Sequence, residues 1–188
     1  DHPNMPWDGT ELWLGRVAVR DGVVRVEDSR RIAGGPDESL MEPVWGRHGS
    51  LFVISDRTGW WNVHRVDGTD RLTNLDQADR EVGGPAWVFG ASHVATASDG
   101  TVLAATVRNG QGLLVTISKS GSPAEHALPC TAVRSLTVDG DRLVLIVTMP
   151  DRGPEVVEAD LEDPTALRVL RPGADPGLDR GQVSRPER

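Results

Sequence analysis

The chain has 188 residues, 38% hydrophobic and 26% charged, with Gly 21 and Pro 13; that balance excludes a disordered or collagen-like chain and allows a sizeable core. Lys and Arg number 20 against 28 Asp and Glu, a formal charge of −8, which repels phosphate backbones and argues against a nucleic-acid partner. The longest apolar run, residues 143–147, falls far short of the roughly 20 residues of a membrane helix, so no membrane partner is expected.

In chain order, the elements are short runs of Val, Leu, Ile, Thr and Trp between turn signals, with no stretch of helical periodicity. Residues 11–17 predict a strand, Asp21-Gly22 a turn and the residues up to Ile32 a second strand. This pair, 7–33, reads as the outer half of a blade. Strand signals at 50–54 and 63–66 then fall in a unit of about 40–75. Those at 101–105 fall in a unit of about 85–128, and those at 142–146 in one of about 133–170. His48-Gly49, Asp99-Gly100 and Asp139-Gly140 each lead into a strand, and glycine accepts the positive φ that hairpin turns need. A spacing of about 40 to 50 residues suits a four-stranded propeller blade.

The expected fold class is therefore all-β: a partial β-propeller of about three and a half four-stranded antiparallel blades within residues 1–170. Residues 171–188, rich in Pro, Gly and charge, read as a linker. Such a count does not close a ring of roughly four to eight blades. With the start at Asp1, it leads to the expectation that the chain is a segment of a longer protein.

The motifs of chemistry are absent from the sequence: no Gly-x-Ser-x-Gly, no His-Glu-x-x-His and no phosphate-cradling glycine loop. No catalytic residue, metal ligand or cofactor is expected. His2, His48, His64, His93 and His126 are scattered and read as surface or loop histidines. The acid pairs Asp79/Glu81 and Asp139/Asp141, and the group Asp160, Glu162 and Asp163, sit beside turns, where carboxylates accept backbone N–H groups. Cys130, the single cysteine, reads as a small buried hydrophobe. One cysteine fits a reducing compartment, and a cytoplasmic location is expected.

Six Trp accompany no Tyr and two Phe. Trp13, Trp45 and Trp87 lie in or beside strand signals and are expected to pack between blades. Trp7, Trp60 and Trp61 lie in loops that join second to third strands and share one face. His2, Asn4, Met5, Trp7, Arg57, Trp60 and Trp61 are the candidate substrate- or domain-facing residues, since aromatic and Arg side chains dominate contact surfaces.

His2-Pro-Asn-Met-Pro-Trp-Asp-Gly-Thr-Glu-Leu-Trp13 and Ser55-Asp-Arg-Thr-Gly-Trp-Trp-Asn62 resemble segments of the prolyl oligopeptidase family, in its bacterial dipeptidyl aminopeptidase and acylaminoacyl-peptidase-like branch. Gly83-Gly-Pro-Ala-Trp-Val-Phe-Gly90 and Ser184-Arg-Pro-Glu187 are also similar to that pattern. The resemblance implies an N-terminal propeller over an α/β-hydrolase domain with a Ser-Asp-His triad, the propeller filtering access for short peptides. It implies that residues 171–188 lead toward that hydrolase domain, the partner of this chain, and that peptide substrate is met only through the parent enzyme. No triad residue matches here, so the chain alone is expected to be inactive. The competing expectation is a stand-alone binding or scaffold propeller that assembles from several copies. A weaker one, a metal-dependent propeller hydrolase, lacks converging ligands on its aliphatic inner strands.

Overall fold

The computed structural model describes residues 4–85, 87–88, 90–177, 181 and 183–184. Among them the chain is all-β, with a single 3-10 turn at Arg47–Gly49. Strands β1 (Glu11–Arg20) and β2 (Val23–Gly34) form a two-stranded ribbon. Three four-stranded antiparallel meanders follow. The first holds β3 (Leu40–Trp45), β4 (Leu51–Ser55), β5 (Asn62–Gly68) and β6 (Arg71–Asn74). Next come β7 (Val94–Thr96), β8 (Val102–Arg108), β9 (Gln111–Ile117) and β10 (Pro123–Ala127). The last holds β11 (Ala132–Asp139), β12 (Arg142–Thr148), β13 (Glu155–Asp160) and β14 (Arg168–Arg171).

Tight turns at Asp21-Gly22 and Asn109-Gly110 put both central residues at positive φ (53° and 75°, 52° and 72°), the conformation that matches strand twist in a two-residue hairpin. First strands of successive meanders converge: β7 touches both β3 and β11, and the Leu136 amide donates to the Ser92 carbonyl at 2.8 Å. The sheets thus fan from a common centre as propeller blades do.

The β7–β10 sheet is sandwiched, and its alternation shows how. Leu103, Ala105 and Leu114 pack with Leu136, Leu143, Leu145 and Val157 of the last sheet. Their neighbours Val102, Ala104, Val115 and Ile117 turn to the other side, against Phe52, Ile54 and Val63. Successive side chains of a strand point to opposite faces, so a sheet covered on both faces reads as a continuous apolar run, as β8 and β9 do. A smaller cluster, Ala33, Leu40 and Val53 with Leu12, Val66 and Leu72, fixes the base of the ribbon.

The tryptophans expected between blades do not fill these gaps. Trp13, Trp45 and Trp87, expected between blades, are 56%, 57% and 64% exposed. Facing sheets lie only about 10 Å apart, and two layers of Leu, Val and Ala already occupy that depth. Of the histidines read as surface or loop residues, His64 is instead a buried strand residue at 0% exposure, and His93 lies just before β7, buried at 7% and bonded to Glu42. Cys130 is buried, and desolvation pushes its thiol up to about 11.

Candidate functional site: a tryptophan-lined recess

Residues 56–61 join β4 to β5 and begin with a turn in which the Gly59 amide donates to the Asp56 carbonyl at 2.8 Å. Two bonds zip this loop to the segment that leaves β6. The Trp61 amide donates to Glu81 Oε2 at 2.8 Å, and the Val82 amide donates to the Trp61 carbonyl at 2.7 Å. Asn62 Nδ2 donates to the carbonyls of Ala78 and Arg80, each at 3.1 Å. The crossing places Glu81, Gly83, Gly84, Pro85 and Trp87 around Trp61, and Trp7 completes a recess of about 600 Å³. Trp7 and Trp87 meet edge to face, their ring centroids 5.4 Å apart and planes at 84°, a favoured aromatic geometry. Gly83 sits at φ 115°, and a Cβ there would press on Met41 Sδ at 3.2 Å; the tight bend needs glycine.

The structure sorts the candidate residues. Trp7 and Trp61 line the recess, and Trp61 also packs, partly buried, on the core around Ile54 and Val63. Met5 and Trp60 are exposed beyond it, at 52% and 39%, and Asn4 is exposed too. His2 lies outside the described residues. Arg57 is committed to an ion pair: its Nε and Nη2 donate to Glu38 Oε1 and Oε2 at 2.8 and 2.9 Å. Ser55 Oγ donates to the same carboxylate at 2.5 Å. Burial opposes ionisation of Glu38, but the bonds from Arg57 and Ser55 outweigh it and hold the group below its ordinary value. Sequence reading missed Glu81, assigned to a turn, and Trp87, assigned to the core. The Gly83-Gly84-Pro85 run between them was the available signal of a sharp bend.

His64 lies on β5. Its Nδ1 donates to the Asn62 carbonyl at 3.0 Å, while Nε2 is buried without a hydrogen-bond partner among the described residues. Burial, against the pull of that carbonyl, lowers its pKa from 6.5. The sign follows directly. As pH falls below about 6.5, the unfolded chain takes up a proton that the folded one resists, so folding stability is lost by up to about 1.4 kcal/mol per pH unit. Urea midpoints at about pH 7.5 and pH 5.5 should therefore differ more for the native chain than for His64→Leu. Equal differences would remove His64 as the buried, neutral group.

At the converging inner strands, His93 and Glu42 form a second lock. The His93 amide and Nδ1 both reach the Glu42 carboxylate at 2.6 Å. Glu42 occupies positive φ, 49°, inside the bulge of β3 between Met41 and Val44; bulges re-aim side chains in this way. Both carboxylate oxygens are used, so the pair ties two sheets together. Among the described residues no three His, Cys, Asp or Glu side chains gather as a metal site, and no helix is long and apolar enough to cross a membrane.

No protein-family model and no curated protein matches the chain. Solved structures do. The chain is 36% identical to a puromycin hydrolase, with a TM-score of 0.81 over 95% of this chain and 27% of that one. It is 32% identical to a Mycobacterium tuberculosis puromycin-hydrolyzing peptidase, with a TM-score of 0.83 over 100% of this chain and 28% of that one. Prolyl oligopeptidase B from Galerina marginata shares the fold at 12% identity and a TM-score of 0.65, over 93% of this chain and 25% of that one. The chain thus spans about a quarter of the length of each. It belongs to the prolyl oligopeptidase family, as a stretch of the β-propeller that those enzymes carry.

Proposed function

We propose that this chain is a non-catalytic propeller segment of a serine peptidase, limiting access of short peptides to a hydrolase domain that residues 171–188 lead toward. The observation that carries it is the 36% identity over 95% of the chain to puromycin hydrolase, in a sequence that holds no Gly-x-Ser-x-Gly. The mechanism is exclusion: a roof over the triad keeps folded proteins out and screens the reacting groups from bulk water. Trp7, Trp61 and Trp87 then offer the hydrolase domain and the passing peptide an apolar, rigid contact. This role calls for no cofactor and suits a cytoplasmic enzyme.

A fluorophosphonate probe should leave the 188-residue chain unlabelled. In the full polypeptide that carries it, the probe should react outside residues 1–188, and short peptides should be cleaved while folded proteins are spared. Stoichiometric labelling of a serine within the chain would sink the non-catalytic reading. Equal cleavage of peptides and folded proteins would sink the gating role.

A further inference from the structure

A cleft of about 270 Å³ opens between the β3–β6 and β7–β10 sheets, at the end where the β3–β4, β7–β8 and β9–β10 turns lie. Both of its walls belong to this chain. Phe52, Leu75, Val102 and Ile117 form the base and continue into the core between the sheets. Gly46 keeps one wall thin, since a Cβ there would press on the Phe52 ring at 2.7 Å. The Asp139-Gly140 turn shares this end of the molecule, meeting Arg47 and Ser98. Along β13, Asp160 pairs with Arg142 beside that turn, whereas Val156 pairs with Arg171 at the far end. The mouth of the cleft thus lies at the opposite end of the sheets from the departing chain.

Most described arginines are tied to carboxylates, as Arg16, Arg31, Arg57 and Arg80 are. The rim of the cleft departs from that pattern. Arg47 and His48 line it together with Lys119, the single lysine of the chain. Among the described residues neither Arg47 nor Lys119 has an ion-pair partner. The Lys119 stem lies across Gly100, its Cε 2.6 Å from where a Cβ would stand. Asp99, the acid on the rim, is already capped: the Thr101 amide donates to Oδ1 at 2.8 Å and the Thr101 hydroxyl to Oδ2 at 2.9 Å. Those bonds, with the Lys119 charge nearby, hold its carboxyl below the ordinary value. Arg65 is paired with Asp67 at 2.7 Å. In a chain of formal charge −8, two cations without salt-bridge partners over an apolar base focus a positive potential at one place.

We propose that this cleft binds a small organic phosphate monoester, its charged head between Arg47 and Lys119 and its apolar group on the base around Phe52 and Ile117. A guanidinium grips phosphate oxygens two at a time, and an ammonium adds a compact charge. The hydroxyls of Ser50 and Ser98 line the same cleft and donate to the remaining oxygens. The apolar base favours a monoester over free phosphate, and the small volume limits its apolar group to a single ring. A phosphate polymer does not serve, because the acidic remainder of the surface repels it. The inference goes beyond the gating role and does not rest on it.

Isothermal titration at low salt should show phenyl phosphate binding at a single site, with a dissociation constant of about 1 mM or tighter. Benzyl alcohol, which has the ring without the charge, should not bind. Phenyl phosphate should also slow acylation of Lys119 severalfold, read by mass spectrometry on the peptide that holds it. Arg47→Gln with Lys119→Gln, both exposed, should weaken binding at least about tenfold while leaving the far-UV circular dichroism unchanged. Arg25→Gln, which removes an exposed charge from the ribbon, should leave binding as it was. No binding of phenyl phosphate, equal affinity for benzyl alcohol, acylation of Lys119 indifferent to the ligand, or equal weakening by Arg25→Gln would each overturn the proposal.

Discussion

Replacing Arg80 with Met is expected to cost about 3–5 kcal/mol of folding stability, measured as a lowered urea midpoint at constant slope. Arg80 is 7% exposed and Asp76 1%. Its Nε donates to Asp76 Oδ2 at 2.7 Å, and a second guanidinium nitrogen pairs with the other oxygen. The third nitrogen crosses to Glu125 on β10 of the next sheet, where Arg108 completes the chain at 2.7 Å. Burial works against the charge of Arg80, but the bonds to Asp76 and Glu125 raise its pKa and keep it ionised. Removing it strands the Asp76 carboxylate inside the protein, and that uncompensated charge accounts for most of the loss. The double variant Asp76→Asn with Arg80→Met should therefore be more stable than Arg80→Met alone. Arg108→Ala, removing a surface partner that is 55% exposed, should cost less than about 1 kcal/mol. If Arg80→Met and Arg108→Ala cost the same, the network is not a buried strut between sheets.

The sequence showed the strands of this fold better than it showed the network. Alternation and Asx-Gly turns are local signals, and β1, β2, β8 and β12 follow from them because hairpin register is set by adjacent residues. Arg80 and Glu125 stand 45 residues apart, and Glu42 and His93 stand 51 apart. Such pairs are made by the angle between sheets, which no local pattern encodes. Each of these residues, alone, looks like an ordinary turn or strand residue.

The tryptophans erred in the opposite direction. Volume suggested that Trp13, Trp45 and Trp87 fill the interior, but side chains on a sheet have two faces, and the gap between facing sheets is filled by aliphatic layers together with Phe52. Trp7 and Trp61 were legible as loop aromatics. Their meeting with Trp87 was not, because it depends on the bend at Gly83 and on the Glu81 carboxylate that seats the Trp61 amide. The recess is thus a product of backbone geometry, and its residues were partly visible while its shape was hidden.

The second large effect lies in the aliphatic layers. Leu114→Ala should cost about 2–5 kcal/mol, read from urea or thermal unfolding, since a fully buried leucine leaves a cavity that its neighbours only partly refill. Leu114 on β9 is 0% exposed and faces the sheet that carries Leu136, Leu143 and Leu145. Its neighbour Val115, also 0% exposed, faces Phe52 and Ile54 on the other side. The two positions therefore report on different sheet contacts although they adjoin in sequence. Leu114→Ala and Leu136→Ala share one cavity, and their costs should couple by about 0.5 kcal/mol or more. Leu114→Ala and Val115→Ala open onto separate cores, and their costs should add to within about 0.5 kcal/mol. Ile146→Ala, at a site 37% exposed, should cost far less than Leu114→Ala, although both are large aliphatics on strands. A cost below about 1 kcal/mol for Leu114→Ala, or strong coupling to Val115, would mean that the middle sheet is not covered separately on its two faces. In that case the blade-on-blade packing described here would be wrong at its centre.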